Sequence, residues 1–125
     1  MRTALALAML TAAAHAEESW PTFGNPYKFT EQGGEAIFDA ACAGCHMLDG
    51  RGASGAATYP SLADNPRLAT LSYPIGVVLR GQKAMPPFRS FLTDEQIAAV
   101  VSYTRTHFGN NFADAPTAAE VAIER

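Results

Sequence analysis

Apolar and polar positions alternate with a helical period most clearly near the end of the chain. Ile97, Val100, Val101, Thr104 and Phe108 recur at three- and four-residue spacing. Thr93-Asp94-Glu95-Gln96 precedes them with the form of a capping box, and Gly109-Asn110 follows as a stop signal. A first helix is predicted from about Glu31 to Ala43, with Thr30 as its N-cap and Gly34 and Phe38 on one face. Between these two, Asp49 to Ser61 is rich in Gly and Ala and reads as loop. Leu62 to Leu68 reads as a short helix interrupted at Asn65-Pro66. Pro74 to Arg80 reads as another, ended by Gly81. Pro86-Pro87 prevents any helix from Gly81 to Leu92. Only a weak helical turn is expected near Ala118 to Glu124. No segment shows the alternation of a strand, so the fold class is all-α.

The first residues follow a different pattern. Arg2, the apolar run Ala4 to Ala14 and the small-x-small Ala14-His15-Ala16 make residues 1–16 an expected signal peptide. An extended, aromatic-bearing arm then spans residues 17–30, with Trp20, Phe23, Tyr27 and Phe29 expected to pack on the domain. A single domain is expected over 31–112, and residues 113–125 form a tail. No stretch after the leader approaches the roughly 20 apolar residues of a membrane helix. The product is therefore expected to be exported to the periplasm with no stable membrane span. Lys and Arg number 9 against 12 Asp and Glu, a net charge of −3. Losing Arg2 makes the chain one unit more negative, which argues against a nucleic-acid partner.

The chemistry is concentrated in Cys42-Ala43-Gly44-Cys45-His46. Two thiols two residues apart, with His next to the second, have the form of a c-type haem attachment site. The thiols add to the two haem vinyl groups, and the His beside them supplies an iron ligand. Export permits a disulfide instead, as in a thioredoxin-like site, but that needs a βαβ setting for which no strands are evident. A zinc site would have an incomplete and badly spaced ligand set.

A closed electron carrier needs a second axial ligand. After residue 16 the candidates are Met47, Met85 and His107. Met47 follows His46 too closely to reach the other haem face. Met85 lies in Lys83-Ala84-Met85-Pro86-Pro87-Phe88, a loop stiffened by proline, and is favoured over His107. Arg80, Lys83 and Arg89 surround that loop. They read either as solvated charge or as a basic rim for propionates or a partner.

Cys42 to His46, Tyr59-Pro60-Ser61-Leu62, Gly81 to Phe88 and the last long helix with Tyr103 resemble the class I cytochromes c. The closest resemblance is to single-haem bacterial cytochromes and cytochrome subunits that serve periplasmic dehydrogenases. The resemblance implies three to five helices around one covalent haem c. It implies an axial pair His46 and Met85, and a Pro60 carbonyl that receives the His46 ring N–H. It places Gly34 and Phe38 against Tyr103, and Leu62, Leu68, Ile75, Leu79 and Phe88 around the haem. It implies a one-electron carrier between a dehydrogenase and a respiratory acceptor, such as an oxidase or another cytochrome. The rivals are a haem enzyme or gas-binding protein with a labile sixth ligand, and a fixed cytochrome subunit of a dehydrogenase complex.

Overall fold

The computed structural model describes residues 28–125. The expected signal peptide and all of the arm before Lys28 lie outside them. Five helices form the domain: α1 (Gly34–Ala41), α2 (Ala43–His46), α3 (Ser72–Arg80), α4 (Asp94–Thr106) and α5 (Ala118–Glu124), with a 3-10 turn at Pro66–Ala69. Small extended pieces accompany them. Ala53–Ser54 (β1) pairs antiparallel with Thr58–Tyr59 (β2), inside the segment expected as loop.

The core follows from the periodic positions. Ile37 and Phe38 of α1, Ile75 and Leu79 of α3, and Ile97, Val100 and Val101 of α4 are all buried together. Phe38 meets Tyr103 and Phe108 at ring-centroid separations of 5.6 Å and 4.9 Å. α1 and α4 touch at Gly34, where a Cβ would run into the Ala99 carbonyl oxygen and the Tyr103 Cβ. A glycine there costs about 1 kcal/mol of helix propensity and is what lets the two backbones meet.

The first helix starts later than its sequence suggests. Thr30 caps nothing, and Gly33 takes the N-cap position. The reason lies in α4. The Gln96 amide closes the expected capping box with Thr93, and its Nε2 then donates to the carbonyls of Phe29 (2.9 Å) and Glu31 (3.0 Å). Those carbonyls are spent on α4, which leaves residues 29–31 extended. Phe29 packs against Phe88, with centroids 6.4 Å apart, as expected of the arm's end. α4 stops at Thr106, two residues before Phe108, which adopts φ 59 and turns its ring onto Phe38.

α5 carries a second capping box, Thr117 with Glu120, and buries Val121 completely in the core. The segment expected as a tail is thus a packed element against α3 and α4. Arg105 is fully buried. Its guanidinium donates to the carbonyls of Leu68 (2.7 Å) and Ala69 (3.1 Å) and to Asp114 Oδ1 (2.7 Å), and stands 5.7 Å from the Phe112 ring centroid. The same hydrogen bond holds the exposed Asp114 carboxyl below its usual range. Arg105→Ala strands the buried Leu68 carbonyl and empties the space of a large buried side chain, and should lower stability by about 3 kcal/mol, read as a shift in a denaturant midpoint at unchanged slope.

Candidate functional site

The motif forms where α1 breaks and restarts. Cys42 closes α1 by donating its N–H to the Phe38 carbonyl (2.8 Å). A single turn, α2, then carries Cys45 and His46, and Met47 ends it at φ 63. No disulfide joins Cys42 to Cys45. Burial, with the neighbouring Cys45 as a lesser cause, pushes the Cys42 thiol up to about 12.

His46 is buried, and its Nδ1 lies 2.9 Å from the Pro60 carbonyl oxygen. A carbonyl can only accept, so Nδ1 carries a proton, and the contact directs Nε2 away from Pro60 as the ring nitrogen that could serve as a ligand. Gly52 makes this contact possible. Its N–H donates to the His46 carbonyl (2.9 Å), and a Cβ on it would press on the Tyr59 carbonyl and lie 2.8 Å from the Pro60 oxygen. It also holds φ 67, which L side chains rarely adopt. Gly52→Ala should cost about 2 kcal/mol of stability and displace Pro60 from His46. Thermal denaturation and the His46 ring resonances by NMR check the two effects.

Cys42, Cys45, His46, Pro60 and Leu62 line a cavity of about 530 Å³. Met85 joins them from the loop after α3, and Leu68, Val77, Val78, Phe88, Val100 and Val101 make its walls largely apolar. Met85 is held in a tight reversal, its N–H donating to the Gln82 carbonyl (2.9 Å) and its carbonyl accepting from the Gln82 N–H (3.1 Å). The tip residue Lys83 sits at φ 54.

Several sequence expectations change here. Ile75 and Leu79 do not line the cavity. They face α4 and α5 in the core, and Val77 and Val78 of the same helix face the cavity. His107 is exposed and outside the cavity. Its ring stacks on Tyr103 at 4.0 Å, and its Nδ1 lies 3.0 Å from the Tyr103 carbonyl oxygen. The basic rim separates: Lys83 lines the cavity, joined by Arg67, whereas Arg80 and Arg89 bond to the last helix. Asn110, expected only as part of a helix stop signal, is buried; it donates to the carbonyls of Leu62 (2.8 Å) and Thr104 (2.8 Å) and accepts from the Asn65 N–H (2.9 Å). It ties the Leu62 side of the cavity to the end of α4.

These donors suit a flat macrocycle better than a bare ion. Two thiols, an imidazole nitrogen and a thioether meet in one apolar space, and no group of three His, Cys, Asp or Glu among the described residues is placed to hold a metal. A helical shell around such a cavity is the architecture of a c-type cytochrome. Residues 30–103 match the family described as cytochrome c oxidase, cbb3-type, subunit III, and the chain belongs to that family. Its cofactor is the covalently bound haem c of that family.

The fructose dehydrogenase cytochrome subunit of Gluconobacter japonicus is 37% identical over 92 residues, 62% of this chain and 19% of the relative. The chain thus spans about a fifth of that subunit's length. Cytochrome c6 of Leptolyngbya boryana is 36% identical over 72 residues, 56% of this chain and 84% of the relative. The solved KustC0563 c-type cytochrome superposes with a TM-score of 0.52 at 28% identity, covering 62% of this chain and 98% of that one.

Proposed function

We propose that this chain is an exported one-electron carrier that passes electrons from a periplasmic dehydrogenase to a respiratory acceptor. In this reading Cys42 and Cys45 tether the haem, and His46 and Met85 are its axial ligands. The cytochrome domain is residues 31–112, preceded by a cleaved leader at 1–16. The observation that carries the reading is the convergence of both cysteines, His46 and Met85 on one apolar cavity. Haem, when bound, supplies a one-electron Fe(III)/Fe(II) couple.

The chain's own residues do the rest. Pro60 fixes the His46 ring and raises the basicity of Nε2. Leu62, Leu68 and the four valines exclude water, which disfavours the more highly charged iron state. The Met85 thioether, a soft donor, favours the reduced state as well. The exposed Cys45 and Lys83 place one cavity edge at the surface, where an electron can leave without the protein opening.

The match to dehydrogenase cytochrome subunits supports a second reading, a fixed subunit of such a complex. Spectroelectrochemical titration of the purified protein tests the shared part. A single reversible one-electron wave, with six-coordinate iron in both states, is expected. Irreversible reduction, or a ferrous form with an open position, would favour the haem enzyme or gas-binding protein. Co-purification of a dehydrogenase at stoichiometric yield separates the fixed subunit from the free carrier.

A further inference from the structure

The last turn of α5 grips the chain on both sides of the Met85 loop. On the entry side, Arg80 at the end of α3 donates to the Glu124 carbonyl (3.1 Å), with the Glu124 carboxylate 3.8 Å away. On the exit side, Arg89 donates to the Arg125 carbonyl, and Arg125 returns a bond to the Arg89 carbonyl. The Arg125 guanidinium also reaches Asp94 Oδ1 with Nε (2.7 Å) and the Leu92 carbonyl (3.2 Å). Its Nη2 lies 2.6 Å from the same carboxylate oxygen, and both side chains remain partly exposed. Val121 anchors this turn to the core.

Inside the loop the holding bonds are few. Among the described residues, Gln82 and Met85 bond only to each other, and Phe88 donates to the Val78 carbonyl (2.9 Å). Residues 82–84, 86 and 87 are exposed. A segment with little buried surface and few bonds opens locally at low cost unless its ends are held.

We propose that α5 is a latch on the Met85 loop, and that Arg80, Arg89 and Arg125 are positioning residues for the sixth iron ligand. The latch rests on the assignment of Met85 as that ligand. Its energetic logic is local. Each exposed ion pair contributes little alone, but these bonds share one closing event, because the loop cannot swing out while both of its stems are held. Releasing them raises the population with Met85 withdrawn and leaves the helical core closed.

Carbon monoxide is the probe, because it binds ferrous haem only when the sixth position is vacated. The haem-loaded full chain is compared with Arg125→Ala, with Arg80→Ala/Arg89→Ala, and with Ile37→Val. The last thins the core between α1 and α4. Loss of the latch should speed carbon monoxide association about tenfold, in line with the cost of local opening. Both latch variants should also weaken the far-red absorption of the ferric protein. Ile37→Val should lower the melting temperature without quickening association. A cycle of Asp94→Ala with Arg125→Ala should be non-additive in that rate.

Latch variants that bind carbon monoxide at the wild-type rate would overturn the latch. So would variants whose rates follow melting temperature on one line with Ile37→Val. Failure of the Met85 assignment has a different signature: wild-type protein itself would lack the far-red band and take up carbon monoxide freely.

Discussion

Met85→Ala should convert a six-coordinate cytochrome into one that binds carbon monoxide stoichiometrically in the ferrous state. Met85 supplies the thioether that shares the cavity with His46, and Ala has no donor atom. The far-red charge-transfer band of the ferric protein should disappear. The reduction potential should fall, because water or a stray nitrogen ligand stabilises Fe(III) relative to a thioether. Fold loss should be modest, since the turn at Gln82–Met85 is closed by backbone bonds that Ala keeps. His107→Ala is the matched control. His107 is committed to the surface, stacked on Tyr103, so its loss should leave the band in place. A band that survives in Met85→Ala would remove Met85 from the iron.

Cys42→Ala/Cys45→Ala should have the second large effect, and it should fall on folding as well as on attachment. The cavity of about 530 Å³ is walled by Leu68, Val77, Val78, Val100 and Val101, which belong to the main helices and their connections. An empty apolar space of this size removes packing partners from several elements at once, and small domains have little stability in reserve. Loss of the thioethers leaves only the iron ligands to retain the cofactor. The double variant should therefore carry no haem after denaturation, by intact mass, and should give a broad, weakly cooperative melt by circular dichroism.

Much of this was legible in the chain itself, for identifiable reasons. α4 combines a strong apolar period with a capping box, so its pattern and its start signal agree, and both are found in place. The Pro60–His46 contact follows the resemblance and is present at 2.9 Å. What escaped had weaker local signals. α3 is apolar nearly all round, with Ile75, Val77, Val78 and Leu79 together, so no period distinguishes its cavity face from its core face. α5 is seven residues long and contributes one fully buried side chain, Val121, although Thr117-Ala118-Ala119-Glu120 was a readable capping box. Arg105 looks like an ordinary basic residue in the last turn of a helix. Only the fold brings the Leu68 and Ala69 carbonyls to its guanidinium. Arg80 and Arg89 looked like neighbours of Met85, and their partners on α5 lie 44 and 36 residues away.

The role of Gly52 was hidden for a similar reason. It is one glycine among several in a Gly- and Ala-rich loop, and nothing local separates it from Gly55. In the fold, a Cβ on Gly55 would meet nothing within 4 Å, whereas one on Gly52 would collide with the segment that orients His46. Sequence reveals a turn, and only the tertiary approach shows which turn residue supports the site.

The most direct test of the account is covalent haem on the wild-type chain. The purified protein is boiled in denaturant and reductant, separated by gel electrophoresis and stained for haem peroxidase activity. A stained band at the chain's own mass, with one haem per chain by intact mass, is the predicted result. An unstained band from the same protein would contradict the attachment of haem through Cys42 and Cys45, and the electron-carrier mechanism with it.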